Sequence, residues 1–151
     1  MNRIALESEL WKKKEYYIEI RDQVKSWTST IPSKEELDKF IDTGCACSDG
    51  VYDVFFYALP YFLDEFAKQK PQDKIEIGYS LTSSVVKALT EEYSEICNTQ
   101  MDNEKLRIST FLFENISSGR CSEKVLKSHL AAIAALSSCP ELANAIAWLD
   151  Y

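Results

Sequence analysis

The sequence contains a single histidine, His129, and only four glycines and four prolines among its 151 residues. One histidine cannot supply the several imidazoles of the common zinc and di-iron sites. The glycines also lack the spacing of a phosphate-binding loop. Cys45 and Cys47 have the spacing of half a metal clip, but no second cysteine pair follows them. We therefore expect no metal and no cofactor.

A long apolar segment is also lacking. The longest uncharged apolar run, residues 54–63, has ten residues, whereas a membrane-spanning helix needs about 20. The N-terminal residues lack the apolar core and cleavage site of an export signal. The five cysteines are an odd number without a framework spacing, which is typical of a reducing compartment. These absences predict a cytoplasmic protein without a membrane partner.

Negative charge is concentrated in one part of the chain. The net charge is −7, and residues 33–66 alone carry eight acidic and two basic side chains, which gives −6. Nucleic acid is not an expected partner, because affinity for phosphates comes largely from Lys and Arg. A basic protein partner suits this charge. The alternative is that the charge serves only solubility.

Apolar side chains recur at spacings of three and four residues through most of the chain, which predicts helices. Turn residues separate about seven such segments, and short connections favour antiparallel neighbours. The prediction is an all-α fold in one domain, residues 1–151, with no sheet. The expected turns are Ile31-Pro32, Gly44 to Gly50, Lys70-Pro71, Asn98 to Asp102, Ser117 to Arg120 and Ser137 to Pro140.

Three local features refine this prediction. Ser33 and Glu36 have the spacing of a capping box and predict a helix start. Pro60 lies inside the most apolar helix, which we expect to bend rather than break because the apolar spacing continues beyond it. Gly78, within a long helix from about Gln72 to Cys97, predicts a close helix contact.

Residues 48–81, SDGVYDVFFYALPYFLDEFAKQKPQDKIEIGYSL, resemble a repeat of bacterial HEAT-like α-solenoid proteins. In those proteins a helix with a central proline precedes a short turn of the type Pro, polar, acidic, and then a second helix. The resemblance implies stacked antiparallel helix pairs in an α-α superhelix. Many small intracellular proteins of this type look like immunity proteins of contact-dependent inhibition or polymorphic toxin systems, which cap a toxin domain.

The sequence contains little evidence of a catalytic motif. His129 shares its segment with Lys127 and Ser128, and we expect it to face solvent rather than to activate a cysteine. Ser84 and Lys87 match a Ser-x-x-Lys spacing, but the companion motifs of the acyl-transfer enzymes are missing. The chain is therefore not expected to be an enzyme, although an unrecognised pocket remains a third class of function.

The predicted function is an immunity protein that occludes a cognate toxin domain with a basic surface, such as a nuclease. The alternative is a helical-repeat adaptor or regulator that binds another protein. Glu91 and Glu95 lie one helical turn apart, where two like charges destabilise a helix slightly. Either they bind an Arg or Lys of a partner, or they belong to a solvent-exposed face. The predicted contact residues are Asp42, Asp49, Tyr52 and Asp53, with Glu91, Glu92 and Glu95 as a second acidic patch.

Overall fold

The computed structural model describes residues 12, 16–47, 50–51, 53–90 and 95–147. Within these residues the predicted all-α fold with about seven helices is confirmed, and the prediction of one domain stays untested. The α-helices are α1 (Tyr17–Ser26), α2 (Lys34–Lys39), α3 (Asp53–Ala67), α4 (Pro71–Thr90), α5 (Glu95–Ser117), α6 (Glu123–Leu136) and α7 (Pro140–Ala147).

The connection from α2 to α3 has more structure than a loop. After α2 the backbone continues as a π-helical segment, Phe40–Cys45. Two strands of two residues each follow, β1 (Ala46–Cys47) and β2 (Gly50–Val51), and they pair antiparallel. The sequence predicted only a loop here and no strand, so that detail was wrong. A ladder this short leaves no alternating apolar pattern by which it could be predicted.

The helices form two layers of alternate elements. Helices α1, α3 and α5 pack in one layer, and α2, α4 and α6 pack in the other. The last helix, α7, packs against α6 and α4. Contacts between alternate helices are the arrangement expected of stacked helix pairs, in which the first helices of successive pairs pack together.

Contacts along the helices give their directions. Between α3 and α5, Asp64 pairs with Arg107 and Phe66 packs on Phe111, so these two helices run the same way. Helices α4 and α5 run oppositely, since Asn115 at the end of α5 hydrogen bonds to the carbonyl of Lys74 at the start of α4. Helices α3 and α5 are therefore parallel neighbours in one layer, and α4 and α5 form an antiparallel pair.

Aromatic side chains form a row through the core along the layer of α1, α3 and α5. Trp27 packs edge-on against Phe40, which stacks on Phe62 with ring centroids 5.9 Å apart. Phe62 continues to Phe66, and Phe66 to Phe111 of α5. Pro60 lies within α3, and the helix continues through it as predicted. This buried row joins α1, the π-helical segment, α3 and α5.

Helix ends follow the predicted capping chemistry. The Ser33 hydroxyl accepts from the Glu36 amide at 3.2 Å, and the Glu36 carboxylate accepts from the Ser33 amide at 3.3 Å. Ser122 caps α6 by accepting from the Val125 amide. Gly119 follows α5 with φ of 71°, a left-handed conformation that glycine adopts without steric cost.

Two groups of predictions about helix extent and burial were wrong. Helix α5 begins at Glu95 and runs unbroken through the expected turn at Asn98 to Asp102, because a nucleated helix extends through polar residues at little cost. The long helix expected to reach Cys97 is described as far as Thr90, and residues 91–94 lie outside the described part of the chain. The apolar spacing that predicts the helices also predicts buried positions for Ile18, Leu106, Leu130 and Leu142, but all four are exposed.

Part of the first predicted helix, which was expected to start near Ile4, lies outside the described residues. Within α1, Tyr17, Ile20 and Val24 face the core. None of the helices in the described ranges is both long enough and apolar enough to cross a membrane.

Candidate partner-binding surfaces

The predicted contact residues are only partly described by the structure. Asp42 is exposed in the π-helical segment. Asp53 and Glu95 are the first described residues of α3 and α5, and nothing is described of their side chains. The remaining predicted residues lie outside the described part of the chain: Asp49, Tyr52, Glu91 and Glu92.

Asp42 lies near carboxylates from two helices. The charges of Asp42 and Glu76 both act on Asp38, and Lys34 contacts Glu76 and Glu35. We call these four carboxylates the acidic face: Glu35 and Asp38 of α2, Asp42, and Glu76 of α4. Lys34 hydrogen bonds to the Glu76 carboxylate and lies 3.9 Å from Glu35 Oε1. The Ser80 hydroxyl donates to Asp38 Oδ1 at 3.0 Å. These two links hold α2 against α4 and bring carboxylates distant in sequence to one surface.

The acidic face has more negative charge than Lys34 neutralises. Burial raises the pKa of Asp38, and the charges of Asp42 and Glu76 raise it further. The Ser80 hydroxyl and Lys34 lower the pKa of Asp38 but do not reverse the shift. A partly buried carboxylate with other carboxylates near it is stabilised in its ionised form when a cation approaches. The face is therefore suited to basic groups.

Sequence reasoning identified Asp42 but missed Asp38 and Glu76 as its neighbours. Asp38 lies four residues before Asp42, so their shared helical side was visible in the sequence. Glu76 joins them only because α4 packs beside α2, and no pattern in the sequence indicates that pairing.

A groove with the opposite charge lies between α4, α6 and α7. Its volume is about 640 Å³, within the range of about 300–1,000 Å³ that is typical of ligand pockets. We call it the basic groove because two lysines line it with apolar and hydroxyl side chains. The lining includes Tyr79, Ser83, Val86, Lys124, Lys127 and Ile146.

The lysines of the basic groove have partners within the protein. Lys124 Nζ lies 5.3 Å from the centroid of the Tyr79 ring, a cation–π contact. Lys127 Nζ lies 3.3 Å from Glu123 Oε1, one turn away on α6. The groove therefore combines an apolar floor with a rim of two cations and one carboxylate.

His129 is fully buried, so the prediction that it faces solvent was wrong. Its helix packs against both α4 and α5, and position 129 faces that junction. His129 Nδ1 lies 2.8 Å from the carbonyl oxygen of Val125, which only accepts, so Nδ1 carries the proton. His129 Nε2 then accepts from the Asn115 amide at 3.1 Å.

Gly78 makes this junction possible, and the predicted close helix contact is confirmed. A Cβ at Gly78 would lie 2.6 Å from Asn115 Nδ2 and 2.9 Å from His129 Nε2, closer than carbon and nitrogen normally approach. The same Asn115 amide also donates to the Lys74 carbonyl at 2.9 Å. Both ring nitrogens of the imidazole are therefore used in structural hydrogen bonds, and the ring has no access to a substrate.

The candidate nucleophiles in the described residues are also poorly placed for catalysis. Cys121 Sγ lies 3.4 Å from the Asn115 carbonyl rather than beside an activating base, and burial raises the pKa of its thiol. Ser84, the serine of the Ser-x-x-Lys match, is buried. Within the described ranges no group of three or more His, Cys, Asp or Glu side chains is arranged to hold a metal ion.

Comparisons of this chain with protein-family models, with curated proteins and with solved structures found no match.

Proposed function

We propose that this protein is a bacterial immunity protein, which binds a cognate toxin domain and occludes the basic surface with which that toxin acts. The acidic face is the observation that supports this proposal. Its four carboxylates outnumber the neighbouring Lys34, and the charges of Asp42 and Glu76 add to a rise in the pKa of Asp38 whose main cause is burial. A basic toxin surface would supply the missing positive charge. Opposite charges also speed association, to about 10⁸ M⁻¹s⁻¹ or above in favourable cases.

Occlusion requires a surface that holds its shape, and the helix stack supports this requirement. Lys34 and Ser80 fix α2 to α4 beneath the acidic face. The buried contact of Gly78, Asn115 and His129 then joins α4 to α5 and α6. A surface that is already ordered loses little conformational entropy on binding. The mechanism is steric blocking by the protein, with no chemical step.

The basic groove favours a second candidate function, the adaptor that binds another protein. An apolar floor with a lysine rim suits a segment with apolar and acidic side chains. The two functions therefore predict partners of opposite charge at different places on the molecule. An enzyme receives less support, since the imidazole is buried and both its nitrogens are engaged.

Co-expression tests the proposed function directly. The gene directly upstream of an immunity gene encodes its toxin, so that gene is expressed alone and with this chain. We expect growth arrest alone and recovery with the wild-type chain, but not with Asp38→Lys/Asp42→Lys. Lys124→Glu/Lys127→Glu is the matched control with the same number of charge reversals, and it should protect fully. A non-toxic neighbour, or protection unaffected by the first pair, would contradict the proposal.

A further inference from the structure

A second and smaller recess lies between α1 and α3, away from the basic groove. Its volume is about 270 Å³, just below the range of about 300–1,000 Å³ for small-molecule pockets. A recess of this size suits one long side chain rather than a whole ligand. We call it the carboxylate recess, and its lining includes Trp27, Thr28, Tyr61, Asp64, Glu65 and Lys68.

The two carboxylates of the recess differ in how they are neutralised. Asp64 Oδ1 lies 2.7 Å from Arg107 Nη2, across the contact of α3 with α5. Glu65 Oε1 lies 2.9 Å from Lys68 Nζ. Glu65 Oε2, in contrast, is buried without a hydrogen-bond partner among the described residues, although the residue is only 7% exposed. Buried carboxylate oxygens normally accept a hydrogen bond, and Glu65 Oε2 has no donor among the described residues.

The rest of the lining also favours a cation. The faces of aromatic rings attract cations, and Trp27 and Tyr61 both line the recess. Trp27 directly follows the last residue of α1, so the carbonyl end of that helix, which carries partial negative charge, borders the same space. A carboxylate acceptor, aromatic walls and a helix C-terminus each stabilise positive charge.

We propose that the carboxylate recess receives one arginine side chain of a partner protein, with its guanidinium donating to the Glu65 carboxylate. A guanidinium is planar, carries several donors and stacks on aromatic rings, whereas an ammonium is a compact and strongly hydrated charge. The identity of that partner as a toxin rests on the proposed function. The affinity of the recess for a guanidinium does not.

The test uses the full chain with N-acetyl-arginine amide as the probe. N-acetyl-citrulline amide is the matched control ligand, since it has almost the same shape but no charge. The readout is the indole N–H resonance of Trp27, assigned by its loss in Trp27→Phe. We expect the arginine compound to shift this resonance saturably and the citrulline compound to bind at least tenfold more weakly. Equal binding of the two would overturn the proposal.

Two variants locate the binding. Glu65→Gln keeps the shape of the side chain but removes its charge, and it should weaken arginine binding at least tenfold. Glu114→Gln, at an exposed position of α5, should leave binding unchanged. Thr28→Lys places an ammonium at the exposed rim of the recess and should also abolish binding. Thr28→Lys tests the location of binding if Glu65→Gln does not fold. Unchanged affinity in a folded Glu65→Gln, or in Thr28→Lys, would overturn the proposal.

The recess proposal and the immunity proposal can be contradicted independently of each other. If the neighbouring gene product is a toxin and Glu65→Gln neutralises it as well as wild type does, no arginine of that toxin occupies the recess and the immunity proposal stands. If the arginine compound binds but the neighbouring product is harmless, the recess stands and the immunity proposal is wrong.

Discussion

The acidic face and the basic groove are built on different sides of the same helix. From α4, Glu76 and Ser80 contribute to the acidic face, whereas Tyr79 and Ser83 contribute to the groove. Residues on the opposite face of α4 turn into the core, Ile77, Gly78 and Leu81 among them. The two proposed partners therefore differ in charge according to which of the two surfaces they contact.

Reversing charge on one side at a time gives the largest expected effect. With the purified toxin domain, Asp38→Lys/Asp42→Lys should weaken binding about 100-fold, or about 2.7 kcal/mol at about 1.4 kcal/mol per tenfold change. Lys124→Glu/Lys127→Glu should change affinity less than twofold. Calorimetric titration measures both, and circular dichroism checks that each variant is folded. The opposite ranking would assign binding to the basic groove.

Substituting Gly78, on the buried face of the helix that carries both surfaces, should affect both through stability. Gly78→Ala places a methyl group against Asn115 and His129, and overpacking of this kind costs about 1–3 kcal/mol. Urea denaturation measures the loss, with Ser83→Ala, at an exposed position on the same helix, as the control. A stability equal to wild type would mean that the junction is looser than described.

The buried imidazole should make stability depend on pH. Burial lowers the pKa of His129, while its bond to the Val125 carbonyl opposes that shift. The unfolded chain therefore binds a proton at a higher pH than the folded chain does. The contribution of His129 to stability is complete above its unfolded pKa of about 6.5 and is lost as pH falls below it.

Denaturation at several pH values from 7.5 downward measures this effect. The wild type should lose stability with a slope that includes up to one proton from this group, and His129→Gln should have a smaller slope even if it is less stable throughout. Equal slopes in the two proteins would show that His129 does not change its protonation on unfolding.

The smallest expected effect separates stability from binding on the acidic face. The raised pKa of Asp38 means that its ionisation costs stability as pH rises through the folded pKa. Asp38→Asn removes that cost and keeps an oxygen for the Ser80 hydroxyl. It should stabilise the protein at pH 7 by a few tenths of a kcal/mol and weaken toxin binding severalfold. The stability difference should vanish in acid, and a variant that binds as wild type would remove Asp38 from the interface.

The fold was largely predictable because local chemistry determines it. The Ser33 capping box, the caps and turns after α5 and α6, and the helix through Pro60 follow from patterns within a few residues. The break expected at Asn98 to Asp102 did not occur, because isolated polar residues are weak evidence against helix. The two-residue strands are too short to leave a pattern.

The candidate surfaces were less predictable because they depend on packing between distant segments. Asp42 was identified from charge alone, but its neighbour Glu76 depends on how α4 lies beside α2. His129 was assigned to solvent from its polar neighbours in sequence, whereas Asn115 and Gly78 from other helices provide its buried environment. Predicting that junction from the sequence requires knowing that α4, α5 and α6 meet.

A stoichiometric titration tests the central claim, that this protein acts by occupying a toxin surface and not by a reaction. A fixed amount of toxin domain is mixed with increasing amounts of this chain, and the residual toxin activity is measured after equilibration. The account predicts a linear decline that reaches zero at a molar ratio of about one, as for tight one-to-one binding. Complete and lasting inactivation by a small fraction of an equivalent would contradict it, because only a catalyst inactivates many toxin molecules in turn.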